Sequence, residues 1–286
     1  MKVLVTGATG FIGNYVVREL FNKNYTIIAS SSDAEKASSN SWFENVIYIP
    51  FNLENYNDVT DYYKFFDQPD CVIHLAWEGL PNYKDSFHEE INLPRHYSFL
   101  SNLIRNGLKD LTVTGTCFEY GLQEGCLNET MSALPDNSYG RAKNTLRTKM
   151  EELKVHHPFS FKWVRLFYMY GKGQNPNSLL SQLDRAVTNG EQVFNMSGGE
   201  QVRDYLPVEK VAENIVKIAL QKNVDGIINN CSGMPVKIKD FVENYLKIIN
   251  RNISLNFGYY PYPDYEPMKF WGHDAKIKKI AEHQAS

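Results

Sequence analysis

Short apolar runs alternate with amphipathic stretches through the first 167 positions of the chain. Runs rich in β-branched residues predict strands over 2–5, 26–29, 46–49, 71–75, 111–114 and 162–167. Between them, apolar positions at helical spacing predict helices over 12–22, 56–66, 88–106 and 138–155. Strands that are apolar throughout, each followed by a helix, need both faces of their sheet covered. The pattern therefore predicts an α/β fold with a doubly wound parallel sheet. Beyond Phe167 the texture changes. Gly171-Lys172-Gly173-Gln174-Asn175-Pro176-Asn177 reads as a turn, followed by helices over 179–188, 208–221 and 238–249 and a strand over 226–229. Tyr259-Tyr260-Pro261-Tyr262-Pro263 reads as loop. The expected division is a sheet domain over 1–167, to which 202–229 returns, and a smaller C-terminal lobe from 168–201 and 230–286.

Composition narrows the partners. A net charge of −3 over 286 residues gives no electrostatic case for nucleic acid or an anionic membrane as the main partner. The first apolar run breaks at Thr6-Gly7, too early for a signal peptide, and no run approaches the ~20 residues that cross a bilayer. Cys71, Cys117, Cys126 and Cys231 lack CxxC spacing and read as free thiols of a reducing compartment. A cytoplasmic protein with no metal site is expected. His156-His157 diverge on a helix, and His88-Glu89-Glu90 reads as a solvated helix start.

The sharpest local signal is Gly7-Ala8-Thr9-Gly10-Phe11-Ile12-Gly13, between the first strand and the first helix. Gly7 permits the turn, Gly10 admits a pyrophosphate to the backbone, and Gly13 lets the helix pack on the sheet while its N-terminus faces the anion. The spacing GxxGxxG is one residue longer than the GxGxxG dinucleotide fingerprint. The second strand ends Ala29-Ser30-Ser31-Ser32, with the first acid only at Asp33. Small hydroxyls leave room for a 2′-phosphate, with Lys36 as counter-charge, so NADP is expected as cofactor, with NAD as the other option. Tyr139 and Lys143 stand four residues apart and share a helix face. Reducing a ketone takes a hydride at carbon and a proton at oxygen; a phenol can give the proton, and a nearby ammonium is expected to lower its pKa. Thr116 ends the fifth strand, where α/β sheets bind ligands, and its hydroxyl is placed to hold the reacting oxygen.

Together these residues resemble the extended branch of the short-chain dehydrogenase/reductase superfamily, the epimerase/dehydratase group acting on nucleotide-activated sugars. The resemblance spans nearly the whole chain and implies a Rossmann dinucleotide-binding domain. Asn52-Leu53 is similar to the family's adenine-contacting Asp-Leu/Ile. Leu75-Ala76 lies in the segment His74-Leu75-Ala76, which resembles HLAA beside the cofactor, and Asn92 fits the asparagine of the next helix. Thr116 with Tyr120-Gly121 matches the family's Ser/Thr followed by YG, Arg165 through Gly171 resembles R-x-F-N-x-Y-G, and Arg203-Asp204-Tyr205 resembles R-D-[FY]. The resemblance implies that Arg203 contacts the substrate's diphosphate and that the chain pairs as a homodimer through the helices over 88–106 and 138–155. Trp77, Cys117, Phe118, Tyr168 and Asn177 complete the expected substrate-contacting set.

Departures from the family pattern narrow the reaction. Its 4,6-dehydratases carry Asp-Glu directly after the catalytic threonine; here Cys117-Phe118 follow, and Glu119 is one step late, which turns it to the other face. Its epimerases carry asparagine where Tyr168 stands and an acid where Ser31 stands. The resulting expectation is a reductase of a nucleotide-linked 4-keto-6-deoxyhexose. A 4-epimerase is the second reading, and an NADP-binding redox sensor without turnover, which would not need Tyr139 and Lys143, is the third.

Overall fold

The computed structural model describes residues 1–285. Its larger layer is a seven-stranded parallel sheet. Strands β1 (Lys2–Thr6), β2 (Thr26–Ser30), β3 (Ile47–Tyr48), β4 (Cys71–His74) and β5 (Asp110–Thr116) are joined by Ser160–Leu166 and Gly226–Asn230. Across the sheet the order is Gly226–Asn230, Ser160–Leu166, β5, β4, β1, β2, β3. The chain reverses direction across the sheet between β1 and β4, which opens a crevice at the strand C-termini.

Alternate residues of each strand feed opposite cores. Val3, Val5, Ile27 and Ile73 pack against Val16, Val17 and Leu20 of α1 (Phe11–Asn22) and against Val211, Ile215 and Ile218 of helix Val208–Leu220. Leu4, Ile28, Val72 and Leu111 face Phe99 and Leu103 of helix Leu93–Arg105 and Leu146 and Met150 of helix Ser138–His156. Each such side chain contributes roughly 1.5–3 kcal/mol by leaving water, so both helical layers are firmly held. The doubly wound α/β architecture follows from the apolar pattern as expected.

The smaller lobe carries a three-stranded sheet in the order Pro235–Lys237, Val202–Pro207, Tyr168–Tyr170. Helices Leu179–Thr188 and Ile238–Ile248 pack against it, with Leu183, Phe194, Met196, Val242 and Leu246 in its core. Val202–Pro207 thus pairs inside the lobe, and the return to the large sheet begins at Val208, not at 202. The reason is local: Asp204 accepts from Ser232 N (2.7 Å) and Gly233 N (2.9 Å), tying the strand to lobe backbone.

One predicted helix is much shorter than the apolar spacing suggests, and another starts irregularly. Over 56–66 only Tyr62–Phe65 is helical, because Asn57 Oδ1 captures the Thr60 backbone N–H at 3.0 Å and Asp61 caps Lys64 N at 3.0 Å. The helix over 88–106 opens with a wide π turn at His88–Asn92, and the regular helix follows at Leu93–Arg105 with Pro94 in its first turn. No helix among the described residues is long and apolar enough to cross a membrane.

Candidate active site

A cleft runs over the C-terminal edge of the large sheet and under the lobe, in three adjoining cavities of about 200, 390 and 490 Å³. The first belongs to the glycine loop. Gly7 adopts φ +70°, and a Cβ there would sit 2.8 Å from Ala76 N; a Cβ on Gly13 would overlap the Gly7 carbonyl oxygen. Side chains are thus excluded where the loop folds back on itself and on the β4 end. Gly10 caps α1 without a side chain, which leaves the first-turn N–H groups facing the cavity. Thr9, Ser30, Ser31, Asn52, Leu53, Leu75 and Ala76 line this cavity, and Phe11 and Ile12 line the next. The cradle fits a dinucleotide: backbone donors at the loop, small residues beside it, and hydroxyls at the far end.

At that far end the nearest acid is drawn into a helix cap. Asp33 accepts from Lys36 N at 2.8 Å and caps helix Ala34–Ser38, while the Ser31 hydroxyl shares a 2.9 Å hydrogen bond with the Tyr48 phenol. Asn92 is buried away from the cleft, where its amide donates to the Glu78 carbonyl at 3.0 Å. It steadies the segment after β4 and does not line the cavity.

The middle cavity holds the expected chemistry. Thr116, Cys117, Phe118, Tyr139 and Tyr168 line it together. Thr116 ends β5 with its hydroxyl accepting from Phe118 N at 3.2 Å, and it shares the cavity wall with Tyr139. Lys143 lies one helical turn deeper, its ammonium donating to the Thr114 carbonyl at 2.9 Å and resting 3.9 Å from the Trp77 ring centre. Burial pushes the Lys143 ammonium down to about 7. The expected depression of the Tyr139 pKa is not what this geometry gives: burial raises it well above 10, with Tyr83, Glu119 and Cys117 adding to the rise. The ammonium lies 6.0 Å from the Tyr139 ring centre and is directed at Thr114 and Trp77, too far to offset desolvation. The phenol is held protonated, the state a proton donor requires.

Trp77 is the hinge of this arrangement. One face receives Lys143, the His96 ring stacks on it at 4.5 Å, and its indole N–H donates to His88 Nδ1 at 3.1 Å. His88 is therefore fully buried, and the solvated helix start expected of His88-Glu89-Glu90 is overturned for that residue. His96 Nδ1 in turn meets His74 Nε2 at 2.7 Å, and His74 Nδ1 meets the Thr6 hydroxyl at 2.8 Å. Burial drives the pKa of His74 down to about 3, so this chain is neutral and ties the β1 and β4 ends beneath the cleft.

Glu119 plays no part in the cavity. It accepts from Thr116 N at 2.8 Å, Trp163 Nε1 at 2.9 Å and Arg165 Nε at 2.8 Å, fully buried on the far side of the turn. A dehydratase acid or base is missing from this position. Tyr83, unmarked by any sequence motif, lines both the middle and third cavities between Phe118 (4.8 Å) and Tyr139 (5.8 Å). Asn177 and Tyr168 line the third cavity. Arg203 does not: it is buried behind the wall, its Nη2 donating to Glu266 at 2.7 Å.

Fold and cleft define a dinucleotide-dependent enzyme of the extended Rossmann type. The sequence model of the NAD dependent epimerase/dehydratase family matches residues 3–231, and the chain belongs to that family. A dTDP-6-deoxy-L-talose 4-dehydrogenase (NAD(+)) from Aggregatibacter actinomycetemcomitans is 30% identical over 273 residues, 95% of this chain and 99% of the relative. A GDP-6-deoxy-D-talose 4-dehydrogenase of the same organism is 24% identical, covering 82% of this chain and 75% of its own length. Among solved structures, a UDP-glucuronic acid 4-epimerase from Bacillus cereus in complex with UDP-glucuronic acid and NAD superposes with a TM-score of 0.83 at 22% identity, over 99% of this chain and 93% of that one.

Proposed function

We propose that this enzyme reduces the C4 ketone of a nucleotide-linked 4-keto-6-deoxyhexose to the alcohol. The observation that carries the reading is the meeting of Thr116 and a protonated, buried Tyr139 in one cavity that opens on the glycine-loop cradle. The 30% identity to a 4-dehydrogenase of a 6-deoxyhexose nucleotide supports it, since that reaction written backwards is a 4-ketoreduction. The nicotinamide cofactor supplies the hydride when bound. Tyr139 gives its phenolic proton to the forming alkoxide, and the Thr116 hydroxyl holds that oxygen. Solvent then restores the proton to Tyr139, while Lys143 fixes the floor of the cavity through the Thr114 carbonyl and the Trp77 ring.

NADPH is proposed as the preferred cofactor, with NADH accepted. Ser30, Ser31 and Ser32 line the adenosine end, while Asp33 caps a helix through Oδ1 and is not among the described lining residues. Gly7, Thr9, Gly10, Phe11, Ile12, Asn52, Leu53, Leu75 and Ala76 are proposed cofactor contacts, and Trp77, Cys117, Phe118, Tyr168 and Asn177 substrate contacts. Pairing as a homodimer through helices Leu93–Arg105 and Ser138–His156 is part of the same reading.

Incubation with dTDP-, GDP-, UDP- and CDP-linked 4-keto-6-deoxyhexoses, with NADPH or NADH, tests the proposal. Cofactor oxidation with one donor and a new C4 carbinol proton in the product NMR spectrum is expected. C4 inversion of a nucleotide-hexose without net cofactor oxidation would instead identify a 4-epimerase. A full panel with no oxidation would sink the reductase reading.

A further inference from the structure

The third cavity lies where an anionic substrate would have to sit, yet no lysine or arginine is among the described residues lining it. Its wall carries one carboxylate, Glu266. Directly behind stands Arg203, 1% exposed at the side chain against 12% for Glu266. The carboxylate is held by two donors: Arg203 Nη2 at 2.7 Å and the Tyr168 hydroxyl at 2.5 Å. Arg203 is otherwise fixed from behind, its Nη1 on the Val202 (2.9 Å) and Met268 (3.3 Å) carbonyls and its face 4.5 Å from the Phe270 ring centre. Its buried Nε has no acceptor among the described residues. A guanidinium in this state has a donor left over, and the group between it and the cavity is itself an anion.

We propose that Glu266 is a specificity-determining gate, an internal anion that occupies Arg203 until the diphosphate of the substrate replaces it. This rests on the reading of the cavity as a nucleotide-sugar site. In the replacement, two phosphate oxygens take up Nη2 and the unpartnered Nε, a bidentate contact that a single carboxylate oxygen does not make. Glu266 then withdraws with its segment. That segment is tied to the opposite rim by Lys84, which meets Asp264 at 3.1 Å with both side chains well exposed, and by Tyr265 resting near Tyr83. Such exposed pairs are weak in water and open easily. A neutral sugar or a weakly held anion leaves the Glu266–Arg203 pair in place and is turned away.

Equilibrium binding of dTDP and of UDP, measured by calorimetry without any turnover, tests the gate. Glu266→Gln removes the competing charge, and about tenfold or tighter binding of at least one diphosphate is expected. Tyr168→Phe removes one tether and is expected to shift binding the same way by a smaller factor. The gain from Glu266→Gln should vanish when Arg203→Ala is added. Unchanged or weaker binding in Glu266→Gln, with NADH affinity and melting temperature retained, overturns the proposal. So does failure of both diphosphates to bind the wild type and both single variants. If Glu266→Gln does not fold, the sign of the Tyr168→Phe shift decides. Tighter binding with no turnover on the keto-sugar panel keeps the gate and overturns the reductase.

Discussion

The two ends of the cleft are built by different means. The cofactor end is made mostly of backbone: a glycine turn, the open N-terminus of α1 and the tips of β1, β2 and β4, with small residues that stand aside. The substrate end is made of side chains, above all Tyr83, Tyr168, Tyr205, Phe241 and Tyr265, gathered from loops and lobe elements far apart in the chain. Backbone donors on rigid elements are ready before a ligand arrives, whereas an aromatic wall closed by an ion pair has to rearrange. On the proposed reading, one end stays fixed in chemistry while the other sets what is accepted.

The largest expected effect lies where the ends meet. Tyr139→Phe keeps the ring between Trp77 and Tyr83 and removes only the acid. Turnover of the keto-sugar nucleotide should fall by ~10²–10⁴ while NADPH affinity stays within about twofold. Near-native kcat in that variant would mean that the proton comes from another group, and the junction of the two ends would lose its chemical role.

Next in size is a change confined to the cofactor end. Ser31→Asp places a carboxylate where the adenosine ribose is proposed to lie and breaks the Ser31–Tyr48 hydrogen bond. A charge-assisted bond to a ribose hydroxyl is worth ~1.5–3 kcal/mol, so preference should move toward NADH by roughly 10- to 100-fold in kcat/KM. KM for the sugar nucleotide should not move, because the third cavity is a separate construction. A parallel loss in sugar KM would show that the two ends are coupled.

The contrast also explains what the sequence disclosed. Gly7, Gly10 and Gly13 fall within seven residues directly after the first strand, Gly7 and Gly13 where backbone geometry excludes a side chain, so their spacing and their place marked the cradle. Thr116, Tyr139 and Lys143 were legible because a strand end and a helix face fix where they point. Tyr83 and Glu266 were not, since they sit in irregular segments whose path is set by what they pack against. Arg203 was found as a motif, but the carboxylate that covers it lies 63 residues on. His88 was misplaced because its partner, Trp77, comes from the loop after β4 and turns an apparently polar helix start inward. Asn57 broke a helix that apolar spacing favoured, a side-chain bond that periodicity does not register.

The effect that is smallest per unit step concerns Lys143, the residue beneath the junction, and it appears in stability. Burial lowers its pKa from the ordinary lysine value of 10.5 to about 7 in the folded chain. Below about pH 7 both folded and unfolded chains hold the proton, and Lys143 adds no pH dependence. Between about 7 and 10.5 the unfolded chain binds more protons, so this residue makes stability rise with pH, by at most ~1.4 kcal/mol per unit. Urea unfolding of the wild type and of Lys143→Met from pH 6 to pH 10 reads this directly. The difference between them should be flat up to about pH 7 and then move steadily in favour of the wild type. The opposite slope would mean that the fold holds the ammonium more tightly than water does, with burial outweighed by its neighbours. A flat difference throughout would show that the Thr114 carbonyl and the Trp77 ring hold the folded ammonium as firmly as water does, making Lys143 a fixed cation under the phenol.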